Sequence, residues 1–457
     1  MKRLLLLAPW LGCWLGSALY GWAAEPIAKQ EAVVIELEGL GGRVTFDKAK
    51  RGNPVVKVDL QSRNVIDSDL ARLNELPHLQ ELNLWGTKVT GTGLADLKGL
   101  NQLEKLYLGN TELFDDALAH LARFPKLRVL WLGGTKVTDA GLAHLEVLPQ
   151  LDELELRLPA LTDAGLKHIA GLTGLTELLL GRTSISDVGL AHLAGLTELQ
   201  KLNLHGTNIT DGGLAHLNGL NRLQQLHIAN TNVTGTGLAH LKGLVQLEML
   251  DLTSCRSFGD TGLEHLKDRP QFRGLVLSYT KVTDAGLLHL KGLGELHWLF
   301  LQGTEVTDAG MENLAGLTRL EFLMLGETQI TDAGLVHLQG LVELRNLNLS
   351  DLNVTDAGLV HLEGMTHLQG LYLRRAGISD AGLALIKGLS NLNALDLKHT
   401  DITDAGLEHF KAMANLRTLD LSGTAVTDAG IEGLKSALPQ VQIRNARTAG
   451  PARRRFR

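Results

Sequence analysis

The sequence predicts an α/β solenoid, a horseshoe with a parallel β-sheet on its concave face and short helices on its convex face. Three observations lead there. One frame, L-x-x-L-x-L-x-x-T-x-V/I-T-D-A-G-L-x-H-L-x-G-L, recurs along most of the chain, as in LQKLNLHGTNITDGGLAHLNGL from Leu199 and LRVLWLGGTKVTDAGLAHLEVL from Leu127. Each unit changes period half-way. L-x-x-L-x-L alternates, as in Leu202-Asn203-Leu204, and suits a strand, whereas G-L-x-x-L-x-x-L puts Leu214, Leu217 and Leu220 on one helical face. Finally, one unit cannot bury its own leucine stripe, but stacked units bury a continuous core. Strands stack about 4.8 Å apart and helices about 8–10 Å apart, so the stack must curve towards its strands.

The elements follow in chain order. Residues 1–24 read as a signal peptide: Lys2 and Arg3, an uncharged apolar stretch from Leu4 to Ala24, and small residues around Gly21-Trp22-Ala23. An uncut membrane anchor and an acylated Cys13 are the alternatives. Residues 25–53 form an N-terminal cap, needed because the first repeat would otherwise expose its leucines. Val33, Val34, Leu37 and Leu40 have helical spacing, Gly41-Gly42 can stop that helix, and Arg43–Asp47 and Val55–Leu60 read as strands. Residues 54–438 hold 16 units of about 24 residues. The frame glycine recurs from Gly93 to Gly430, with Ala117 and Asp69 in its place twice and one extra residue near Phe258. Residues 439–457 supply a last strand around Val441 and Ile443 and a basic, disordered tail.

The frame resembles the leucine-rich repeat family. It is most similar to the helix-containing subclass of ribonuclease inhibitor and the F-box-type repeat domains, and its T-D-A-G-L-x-H-L variant looks like exported bacterial members. The resemblance covers about Val55 to Leu438 and implies a horseshoe with a binding role. It names no ligand.

Little in the chain points to catalysis. The formal net charge of -6 argues against nucleic acid, which wants a basic face. Two cysteines, Cys13 and Cys255, offer no zinc cluster. The histidine column (His144, His168, His192 and onward) sits on successive helices about 8–10 Å apart, too far to share an ion. The aspartate column (Asp163, Asp187, Asp211 and onward) has a structural reason beside a helix start. Cys255 occupies an inward threonine slot, as an inert thiol. There is no G-x-S-x-G elbow, Walker loop or H-E-x-x-H. We expect no catalytic residue, no metal and no cofactor.

What rises above the repeat is the content of its free positions. In L-x-x-L-x-L-x-x-T the third, fifth and seventh residues face outward, with the eighth at the edge. Beyond residue 24 the chain has three Trp and three Tyr, and all six fall in these columns. One predicted patch comprises Val276, Tyr279, Trp298, Phe300, Phe322 and Met324. A second comprises Trp85, Tyr107, Val129 and Trp131. Contiguous exposed apolar surface is uncommon without a partner, and Trp, Tyr and Met are enriched at interface centres. Glu153, Glu155, Arg157, Glu177 and Arg182 read as a charged middle, and Arg374, Arg375 and His399 as positive charge further on. The expected function is therefore non-enzymatic binding of a protein or peptide by an exported protein. Alternatives are an envelope carbohydrate binder and a self-assembling envelope protein. Membrane contact is expected only if the N-terminal segment is retained.

Overall fold

The computed structural model describes residues 29–445; the signal peptide and the basic tail predicted from the sequence lie outside them. The chain forms two compact units, divided after Leu158.

In the first unit a helix over residues 29–39 covers the start of the repeats, burying Val33 and Leu37. Gly41 follows it at φ +80, which lets the chain turn into strand β1 (Arg43–Phe46). Strand β1 runs antiparallel to β2 (Val55–Asp59). From there every pairing is parallel and in register, through β3 (Glu81–Asn83), β4 (Lys105–Tyr107), β5 (Val129–Trp131) and β6 (Glu153–Glu155). The second unit continues the pattern through β7 (Glu177–Leu179), β8 (Lys201–Asn203), β9 (Gln225–His227), β10 (Met249–Asp251), β11 (Gly274–Val276) and β12 (Trp298–Phe300). Next come β13 (Phe322–Met324), β14 (Asn346–Asn348), β15 (Gly370–Tyr372), β16 (Ala394–Asp396), β17 (Thr418–Asp420) and β18 (Gln442–Arg444).

The leucines of the frame are the core. In the repeat of β12, Leu296, Leu299, Leu301, Leu314 and Leu317 are all fully buried. Each burial is worth about 1.5–3 kcal/mol against exposure. The helical half is tighter than an α-helix. Asp308–Met311 makes one α turn, and Glu312–Leu314 then narrows to a 3₁₀ helix. Gly141–Leu145 is 3₁₀ throughout. Leucines spaced by three suit three residues per turn, so the spacing itself selects the narrower helix.

Two further details come from the fold. The eighth position of the frame is left-handed wherever it is glycine or asparagine, as at Gly303 (φ 67) and Asn230 (φ 53), and also at Tyr279 (φ 59). A bulky side chain there costs roughly 1–2 kcal/mol. The aspartate column does more than sit at a helix start: within each unit, carboxylates from Asp67 to Asp404 reach the next repeat. Asp284 Oδ1 accepts from Thr307 N–H at 2.8 Å and its Oδ2 from the Thr307 hydroxyl at 2.6 Å. The same hydroxyl accepts from Ala309 N–H at 3.3 Å, capping its own helix. The arrangement recurs from Asp67–Thr90 to Asp404–Thr427. It also explains the frame glycine. A Cβ at Gly310 would collide with Asp284 Oδ1 and stand 3.0 Å from Leu287 Cδ1.

Candidate binding surfaces

In the second unit, β11, β12 and β13 set their outward residues in two rows. Val276, Phe300 and Met324 are register partners in one row; Gly274, Trp298 and Phe322 are partners in the other. The Trp298 and Phe322 rings stand 6.4 Å apart, tilted by 33°. Trp298 keeps 37% of its surface exposed, and Val276, Phe300, Phe322 and Met324 are half-buried. The indole lies across Gly274, where a Cβ would sit 3.2 Å from Trp298 Cε3 and 3.3 Å from Met249 Cγ. Met249 of β10 thus extends the row, a member that sequence reasoning missed. Its third position in the frame was the available signal.

Tyr279 stands beside these rows at the edge, 42% exposed. Its ring covers Gly303, and its hydroxyl accepts from Gln302 Nε2 at 2.8 Å and donates to Glu327 Oε1 at 3.2 Å. It is a pinned rim of the face, not a member of either row.

The first unit brings the other predicted aromatics together. Tyr107 meets Trp131 edge-on, with centroids 5.0 Å apart at 87°, and Trp85 meets Trp131 at 6.4 Å and 77°. Trp85 lies over Gly109, whose missing side chain makes its seat. Val129 departs from the prediction. It is 4% exposed, buried between its register partners Lys105 and Glu153, and offers almost no contact surface. Burial, with Glu81 and Glu153 nearby, pushes the Tyr107 phenol up to about 12.

The predicted charged residues also resolve individually. Glu155 is not on the surface. It is fully buried, accepting from Gly133 N–H at 2.6 Å and from Arg157 Nε at 2.6 Å. Arg374 and Arg375 both pair with Asp351, each at 2.9 Å. Cys255 is buried and donates to the Ile228 carbonyl at 3.2 Å; burial pushes its thiol up, away from the reactive thiolate.

The nearest approach to a catalytic pair is His227 Nδ1 with Asp251 Oδ2 at 3.5 Å. The adjacent Thr253 hydroxyl donates to Asp251 at 2.6 Å and not to the imidazole. Among the described residues no group of His, Cys, Asp and Glu could hold a metal ion.

Comparison with known proteins fits this architecture. The family profile described as leucine rich repeat matches residues 366–426, one stretch of a frame that continues in phase through both units. The chain is built of leucine-rich repeats. No curated protein matches the sequence. Similar solved structures include a leucine-rich repeat protein of Leptospira interrogans, at TM-score 0.57 and 20% identity over 81% of this chain and 91% of that one. The mouse RP105/MD-1 complex gives 0.56 and 18% over 87% and 73%. An internalin (inlF) of Listeria monocytogenes gives 0.51 and 24% over 81% and 97%. At these identities the likeness of the leucine-rich repeats is one of fold, and function has to be argued from the surfaces.

Proposed function

We propose that this leucine-rich repeat protein is an exported, non-enzymatic scaffold that binds a protein partner through the face made by Val276, Trp298, Phe300, Phe322 and Met324, with Tyr279 as its rim. The observation that carries this reading is the pair of apolar rows on the outward side of three adjacent strands, half-buried except for the exposed Trp298. Strands elsewhere in the unit put Asn346, Asn348, Asp396 and Asp420 in the same rows. The backbone demands nothing apolar there, so the aromatics answer to something other than folding. Large, rigid rings on a preformed surface lose little entropy on binding, which suits them as anchors. The mouse RP105/MD-1 structure, similar to this chain in fold, is that of a complex, which is consistent with the reading. Export rests on the N-terminal sequence alone. Among the described residues no helix is long and apolar enough to cross a membrane.

The test places a photocrosslinking amino acid at Asn346, the register neighbour of Phe322, and identifies what it captures in the native envelope or medium. The captured protein is then purified and titrated against the wild type and a Trp298→Ala/Phe300→Ala variant. The variant should bind at least about tenfold more weakly, as expected for central anchors. Equal affinity would remove this face from the assignment.

A further inference from the structure

The aromatic cluster of the first unit differs in kind from the face just described. It lines a groove of about 490 Å³ together with Gln61, Glu81, Asn83 and Arg157. The repeat explains how the groove arises. Trp85 and Arg157 hold the seventh position of their repeats, and the two repeats between them have Gly109 and Gly133 there. Trp85 lies down over Gly109, and the Glu155 carboxylate lies over Gly133. The seventh column is therefore level between its two walls. Tyr107 and Trp131 stand alongside in the fifth column.

Three ligand classes can be weighed against this lining. A cation would gain from rings at right angles, but the lining is formally neutral. Its one carboxylate, Glu81, is held by Lys57 at 2.7 Å, and its guanidinium, Arg157, by Glu155 at 2.6 Å. A protein anchor would prefer an apolar surround, yet four of the seven lining residues are polar. A pyranose ring carries apolar C–H faces and a girdle of neutral hydroxyls. Rings beside amide, carboxylate and guanidinium groups answer both halves of it. We propose that this groove is a binding site for a neutral oligosaccharide, with a sugar ring against Trp85 and Trp131 and its hydroxyls met by Gln61, Asn83, Glu81 and Arg157. The Tyr107 hydroxyl stays protonated across the physiological range and adds a neutral donor. The site shares no residue with the Trp298 face and does not depend on its assignment.

The test titrates the purified full chain, by calorimetry, with cellotetraose, chitotetraose, maltotetraose and mannotetraose, and with tetramethylammonium as the cation probe. At least one saccharide should bind saturably. Trp131→Ala should weaken it by about tenfold or more, as loss of an aromatic anchor does, while Trp298→Ala leaves it unchanged. Thermal melts monitor folding. If Trp131→Ala unfolds the first unit, the exposed substitution Gln61→Ala decides, with an expected loss of about threefold to tenfold for one hydrogen-bonding group. No saturable saccharide binding, binding indifferent to these substitutions, or binding of tetramethylammonium alone would overturn the proposal.

Discussion

At the scale of single residues, the frame glycine and the aspartate before it form one device spanning two repeats. Asp284 needs the space that Gly310 leaves, and Thr307 fills its hydrogen-bonding capacity. The chain carries its own experiment. Where Gly91 replaces the aspartate, Ala117 replaces the glycine, and its Cβ stands 3.1 Å from a Cβ built at Gly91. Where Gly235 replaces it, Phe258 packs against Gly262 instead. We therefore expect Gly310→Ala to cost about 1–3 kcal/mol by overpacking. Asp284→Ala should cost about 1–3 kcal/mol through hydrogen bonds lost. The double variant should be less destabilised than their sum, because each change removes part of the other's cost. Denaturant midpoints check this; strict additivity would sink it. The glycine and aspartate columns were both visible in the sequence, but their dependence was not, because the partners lie in different repeats.

At the scale of elements, the ladder of carboxylates ties successive helix starts together, and the ionisation of three of its members, Asp67, Asp211 and Asp404, matters. Burial pushes Asp67 and Asp211 upward. Hydrogen bonds from Thr90 and Thr92, and from Thr234 and Thr236, outweigh it and hold both below the usual carboxylate range. The Thr427 hydrogen bonds hold Asp404 low as well. A carboxyl whose folded pKa lies below its unfolded value of about 3.9 lends stability fully above that value and loses it as pH falls through the folded pKa. The melting temperature should hold steady from about pH 7 to about pH 5 and fall below about pH 4. An unchanged melting temperature down to about pH 2.5 would show that the ionisation of these three carboxylates lends no net stability. The strands obey a simpler rule. Their register follows from equal repeat length, which is why the rows of Trp298 and Phe300 could be anticipated. Whether each outward side chain lies flat, stands on edge or sinks depends on its neighbours, so Val129 is buried while Trp298 stays exposed.

At the scale of the whole molecule, repeats that contact only their neighbours make length adjustable. Deleting residues 316–339 joins Ala315 to Gly340 without changing the frame. It should leave a cooperatively melting protein, whereas deleting residues 316–327 would remove strand β13 and run one helical half straight into the next, and should abolish folding. A half-unit deletion that melts like the full one would refute the modular account. Export makes a separate prediction: the intact mass of protein recovered outside the cytoplasm should correspond to a chain starting at Ala24 or Glu25. A full-length mass in the membrane fraction would instead favour the uncut anchor.

By itself the sequence determined the solenoid and the period of its strands and helices, because those depend only on spacing along the chain, and spacing is local information. The tertiary structure alone decided which outward residues become a surface. Trp298 lies exposed across Gly274, whereas Glu155 is fully buried with its carboxylate over Gly133. It also decided that one aromatic cluster would be a flat apolar face and the other a groove with a polar rim. Those outcomes rest on contacts between side chains one or two repeats apart, and each is set by what the neighbouring repeats leave empty.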